Sequence, residues 1–152
     1  MGKKSQQIYK MRIVVDTNVV FSALISANAT IPDIIIAPFS RFRFYTCEFL
    51  FEELDNHKEK LQKASKLSEK EIDRAKTNLF KYINVISLGV IPQNIWLAAE
   101  ALTIDIDPDD IPFVALAMFV DAHLWTKDKI LYNGLKNKGF NNVISTYELR
   151  NM

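Results

Sequence analysis

The run Ile13-Val14-Val15 is wholly β-branched, ends on Asp16, and is followed by Thr17-Asn18 and more apolar residues, Val19-Val20-Phe21. Stiff branched side chains without polar alternation describe a strand covered on both faces, which restricts the chain to a sheet packed between helices. An ionised carboxylate closing such a strand must reach water, find a partner or bind a metal. The feature therefore constrains the architecture and marks a candidate site.

The same pattern recurs downstream. Strand candidates are Arg12 to Val15, Arg43 to Thr46, Asn84 to Ser87, His123 to Thr126 and Asn142 to Ser145, with helically spaced segments between them. Leu50, Leu54 and Leu61 mark one helix over roughly Glu48 to Ala64. Ser68 and Glu71 form a capping-box signature, with Leu67 and Ile72 placed as a hydrophobic staple. Phe113, Leu116, Ala117 and Val120 mark a third helix, and Gly139 reads as a terminator before the last strand. Strands alternating with helices predict an α/β fold with a mainly parallel sheet and right-handed crossovers. With no internal repeat or long linker, residues 1–152 are expected to form one domain, residues 1–10 being a flexible polar head.

Composition narrows the function classes. A net charge of +1 over 152 residues gives no bulk attraction for a polyanion, so any nucleic-acid contact must be local. One cysteine, Cys47, excludes an internal disulfide framework and fits a reducing interior. The four glycines form no phosphate cradle or dinucleotide fingerprint. Asp16 and Asp121 interrupt the apolar runs before either could span a membrane, and the head lacks the apolar core of a signal peptide. A cytoplasmic protein is expected.

Parallel α/β sheets bind ligands beyond the carboxyl ends of their strands, where Asp16 and Asp128 both fall. If the two strands are neighbours, a hard divalent cation between the carboxylates explains how like charges coexist. The densest acidic stretch is Asp105-Ile106-Asp107-Pro108-Asp109-Asp110. It is no calcium loop: Asp110 stands where glycine is required and Leu116 where glutamate is. Spacing alone favours Asp110 as a simple helix cap ahead of Pro112. Glu52 and Glu53 read as solvent-facing, and the Glu53/His57 pair lacks the further histidine of a zinc site. His123 has no nucleophile at recognisable spacing.

Four segments in this order resemble the PIN-domain nucleases, which include the VapC-like ribonuclease toxins of toxin–antitoxin pairs. They are Val14-Val15-Asp16-Thr17-Asn18-Val19, Phe51-Glu52-Glu53-Leu54, Asp107-Pro108-Asp109-Asp110 before Phe113-Val114-Ala115-Leu116-Ala117, and Leu124-Trp125-Thr126-Lys127-Asp128. The resemblance implies a three-layer α/β/α sandwich and a catalytic, metal-binding quartet on Asp16, Glu53, Asp110 and Asp128, supported by Asn18 and Thr126. It further implies Mg²⁺ or Mn²⁺, hydrolysis of RNA, a small antitoxin partner and a homodimer. The chain departs from the common pattern at Lys127, where many members have glycine, and at Ile130, where many have another acid. Those departures keep open a PIN-fold module that binds RNA or protein without cutting. A phosphate-accepting receiver domain fits less well, because Asp16 has no acidic partner beside it.

Positive charge for a substrate path is offered by Arg41/Arg43, Lys127/Lys129 and Lys136/Lys138. Lys127 and Lys129 flank Asp128 and are the better candidates for phosphate contacts. Lys58, Lys60, Lys63, Lys66 and Lys70 read as ordinary helical surface. Phe42, Phe44, Tyr45, Phe49 and Phe51 read as core rather than as base-stacking platforms.

Overall fold

In the computed structural model, β1 (Met11–Val15) is the central strand of a five-stranded sheet ordered β3-β2-β1-β4-β5. The other strands are β2 (Phe42–Cys47), β3 (Ile83–Ile86), β4 (His123–Trp125) and β5 (Val143–Ile144). Every described pairing is parallel, so the expected mainly parallel sheet is wholly so. The structure describes residues 10–25 and 30–152, and the expected polar head therefore lies, Lys10 apart, outside the described residues.

Burial explains the β-branched run. Ile13, Val14 and Val15 are each 0% exposed, as a central strand covered on both faces requires. Helix α7 (Ile111–Val120) lies across β1, β2 and β4 with every residue from Ile111 to Ala117 buried, and α6 (Gln93–Thr103) packs against it. A helix this uniformly apolar can exist only inside a layered core. The remaining helices are α1 (Thr17–Ile25), α2 (Thr30–Ile36), α3 (Phe49–Asn56), α4 (Lys58–Ser65), α5 (Glu69–Leu79), α8 (Lys129–Asn137) and α9 (Thr146–Arg150). Together they complete a three-layer α/β/α sandwich.

The single helix expected over Glu48 to Ala64 is instead two, broken at His57, whose backbone leaves the helical region at φ −110°, ψ 22°. Leu50, Leu54 and Leu61 are all buried, but no apolar residue occupies 57 or 58, so nothing ties that turn to the core. Asp55-Asn56 just ahead compete for their own backbone and weaken the helix further.

Local signals hold elsewhere. Ser68 Oγ accepts from the Glu71 N–H at 3.2 Å, and the Ser68 N–H donates to Glu71 Oε1 at 3.0 Å, completing the capping box. We expect Ser68→Ala to cost about 1 kcal/mol, lowering the midpoint of a thermal melt by about 2–4 °C. At the end of α8, Gly139 has φ +87°, its N–H donates to Lys136 O, and Phe140 N–H donates to Leu135 O, both at 3.0 Å. This is a Schellman stop, and it needs a residue that tolerates the left-handed region.

Of the aromatic zone, Phe44 is buried against Trp125, and Phe42, Tyr45 and Phe49 pack on the core. Phe51 is the exception: it is exposed and packs at a tilt against Phe80 with centroids 4.9 Å apart. Among the described residues no single helix is long and apolar enough to cross a membrane.

Candidate active site

After β1 the chain builds outward through β2 and β3, then returns to place β4 on the other side of β1. Between β1 and β4 lies the switch point, and there the crossovers part to leave a crevice at the carboxyl ends of the strands. Val15 pairs with Trp125 across it, so Asp16 and Asp128 emerge at the same edge.

Asp16 has a structural task after all. Its Oδ1 accepts from the Val19 N–H at 2.9 Å, capping α1, and Thr126 hydrogen-bonds the same carboxylate. Burial nevertheless outweighs both bonds, since the group is only 2% exposed, and its pKa is pushed up to about 6, with Asp128 and Glu53 adding repulsion. Asp128 caps α8 in the same way, Oδ1 accepting from Ile130 N–H at 2.9 Å and Leu131 N–H at 3.3 Å. The Asp128 N–H donates to Thr126 Oγ1 at 3.1 Å, so buried Thr126 ties the two carboxylate-bearing turns together.

Glu53 reaches the crevice from α3, half-buried, and accepts a hydrogen bond from the Thr17 hydroxyl. Burial raises its pKa and the Thr17 bond opposes the rise. Asp110 stands at the start of α7, yet its side chain makes no capping hydrogen bond. A 3₁₀ turn, Pro108–Asp110, runs straight into α7, so Asp110 has φ −88°, ψ −9° rather than the extended backbone of a cap. Capping in this stretch falls to Asp107, whose Oδ1 accepts from the Asp109 N–H at 3.0 Å. The simple-cap alternative for Asp110 is thereby corrected. Its carboxyl is pushed up to about 8, first by burial and then by Asp16, Asp107, Asp128 and Glu53.

One cleft of about 220 Å³ is lined by Asp16, Glu53, Asp110 and Asp128, with Asn18 also on its wall. Sequence reasoning left out Asp107, Asp109, Thr17, Phe21, His57 and Lys60, which line it too. The two aspartates were legible in the acidic stretch. Lys60 was not: the break at His57 starts a new helix whose third residue faces α1, with Nζ 5.7 Å from the centre of the Phe21 ring. It is therefore not ordinary helical surface.

Other basic candidates fall elsewhere. Arg41 and Arg43 lie at the amino end of β2, the sheet edge away from the cleft. Lys138 pairs with Asp105, and Lys136 sits 5.0 Å over Tyr132. Lys127 donates from Nζ to Ser22 Oγ at 2.9 Å and, with Lys129, lines a neighbouring groove that also includes Asp128. Ile130 is 75% exposed, is not part of the cleft wall, and contributes only its N–H to Asp128.

The four carboxylates offer hard oxygens, which suit Mg²⁺ or Mn²⁺ and not a thiol-seeking metal. Burial first, and repulsion between neighbouring acids second, makes ionisation of Asp16, Glu53 and Asp110 unfavourable, and a divalent cation would offset both. Among the described residues no three acidic, histidine or cysteine side chains form a ready-made site for one ion.

The acidic stretch is itself held by α6. Thr103 O accepts from Ile106 N–H at 2.9 Å and Asp107 N–H at 3.0 Å, while the Thr103 hydroxyl is buried with no partner. We expect Thr103→Val to stabilise the protein by about 1 kcal/mol, because a buried unpaired hydroxyl is replaced by a methyl of similar size. Denaturant titration checks the sign.

A parallel α/β/α sandwich with an acidic crevice at its switch point is the class that fold and site define. Residues 14–148 match the model of the PIN domain, and the chain belongs to that family. It is similar in structure to VapBC2 from Rickettsia felis bound to a DNA fragment from their promoter, at 14% identity and TM-score 0.64, covering 89% of this chain and 97% of that one. It is also similar to a toxin–antitoxin complex from Klebsiella pneumoniae, at 19% identity and TM-score 0.58, covering 90% and 98%. At such identities the likeness establishes the fold. No curated protein matches by sequence.

Proposed function

We propose that this PIN domain is a metal-dependent ribonuclease, with Asp16, Glu53, Asp110 and Asp128 as the catalytic, metal-holding carboxylates. The observation that carries the reading is that four acids from four separate elements line one cleft at the switch point, two of them with strongly raised pKa values. A bound Mg²⁺ or Mn²⁺ would lower the pKa of an attacking water and offset charge on the phosphate. The chain's own groups position the reaction. Val19 N–H and Thr126 fix the Asp16 carboxylate, Ile130 and Leu131 N–H groups fix that of Asp128, and Thr17 orients Glu53. Asn18, exposed on the wall of the cleft, is placed to hydrogen-bond the substrate.

By likeness to the two complexes, the proposed context is the toxin of a toxin–antitoxin pair with an antitoxin as partner; the family resemblance adds a homodimer as the working form and the cytoplasm as its location. The alternative is a catalytically silent PIN-fold module that binds RNA or protein, favoured by the lack, among the described residues, of a ready-made group of three metal-ligating side chains. Incubating the protein with labelled RNA in Mg²⁺, Mn²⁺ or chelator separates the two. Cleavage that requires the cation supports the ribonuclease; RNA binding without cleavage under any condition hands the fold to the silent module.

A further inference from the structure

A groove of about 550 Å³ runs beside the acidic cleft and shares Asp128 with it. Lys127 and Lys129 line it from the turn after β4 and the start of α8, Tyr132 from α8, and Thr146 and Tyr147 from α9. Its walls are braced. Trp125 Nε1 donates to Thr146 Oγ1 at 2.9 Å, and the Tyr132 hydroxyl donates to Glu148 Oε1 at 2.8 Å. Glu148 Oε1 also accepts the Ser145 N–H, so the groove's second carboxylate is engaged within the protein.

Two of its side chains have no such occupation. Tyr147 is 75% exposed, although a ring of its size normally hides its faces. Lys129 is exposed, and the ion pairs among the described residues, Lys58–Glu69, Lys76–Asp73 and Lys138–Asp105, leave it out. A presented aromatic face beside an unpaired cation is the combination that holds a nucleotide of a single strand: the ring takes the base and the ammonium takes the phosphate. The location supplies the rest of the argument. A strand whose phosphate lies at Asp128 must continue over an adjoining surface, and this groove begins at the same residue.

We propose that the groove is a nucleotide subsite, in which Tyr147 stacks the unpaired base flanking the scissile phosphate and Lys129 contacts the next phosphate. The proposal rests on the ribonuclease reading above. It adds a requirement, because a base locked in a duplex cannot present its face to Tyr147.

The test is binding of a short labelled single-stranded RNA by the full chain carrying Asp16→Asn in Mg²⁺, followed by fluorescence anisotropy. Tyr147→Ala should weaken binding on the order of tenfold, whereas Tyr147→Phe, which keeps the ring, should bind as the parent does. Lys129→Gln should reduce the slope of log affinity against log salt by about 0.7. Unchanged affinity in Tyr147→Ala, or equal losses in the Ala and Phe variants, would overturn the subsite. If the unmodified chain cuts RNA and Tyr147→Ala binds it normally, the subsite alone falls. If the unmodified chain neither cuts nor binds RNA, the ribonuclease reading falls with it.

Discussion

Asp16→Asn should lose RNA cleavage by about a hundredfold or more while melting no lower than the parent. The loss follows from chemistry: an uncharged amide cannot help hold a divalent cation, and forfeiting about 3 kcal/mol of transition-state stabilisation is roughly a hundredfold in rate. The retained stability follows from local structure. Asparagine keeps an oxygen for the Val19 N–H, so α1 stays capped, and the substitution removes a buried charge that burial and its neighbours already disfavour. The paired readout separates the site from the scaffold, since unfolding would lower both activity and melting temperature. Cleavage by the variant at the parental rate, or cleavage by the parent that persists in chelator, would reject the metal mechanism.

That double duty of Asp16 was only half visible in the sequence. A carboxylate after three β-branched residues announces that something must compensate it, but whether the partner is a helix N–H, a hydroxyl or a metal depends on atoms brought in by folding. Here Val19 is local, whereas Thr126 arrives across the sheet from more than a hundred residues away. β1 was legible because burial on both faces selects an unmistakable composition, and the Ser68 cap because it closes within four residues. The break at His57 was less so: an apolar stripe reports where a helix touches the core, not whether its exposed turns stay helical. Lys60 shows the consequence, a lysine read as surface that the break directs to the cleft. Asp110 erred in the opposite direction, since the residue before a proline-bearing helix looks like a cap until the preceding 3₁₀ turn takes its backbone out of the capping region.

In chelator, the protein should lose stability as pH rises from about 4 to about 8, contrary to the usual behaviour of carboxylates. Asp16 and Asp110 start from an ordinary value of 3.8 and are raised to about 6 and about 8 in the folded protein. The native state thus holds protons that the unfolded chain has released. Stability from these groups is full below the unfolded value and is lost as pH climbs through the folded ones. At about 1.4 kcal/mol per pKa unit the gross effect is several kcal/mol, and the partial exposure of Asp110 and the coupling between the acids reduce it to about 2 kcal/mol, or about 4–8 °C in melting temperature. His123, whose pKa burial lowers, opposes this below its ordinary value of 6.5, and Glu69, Glu71, Asp105 and Glu148, held low by their hydrogen-bond partners, oppose it at the acid end. Asp110→Asn, which removes the most strongly shifted acid without cutting a capping hydrogen bond, should flatten the decline. Mg²⁺ at about a hundred times its dissociation constant should restore about 2.7 kcal/mol. The gain should be larger at pH 8 than at pH 5, since more carboxylates are then ionised to receive it. A melting temperature in chelator that is flat or rising over this interval, with Mg²⁺ acting no more strongly at the alkaline end, would mean that Asp16 and Asp110 are not held as buried acids resisting ionisation.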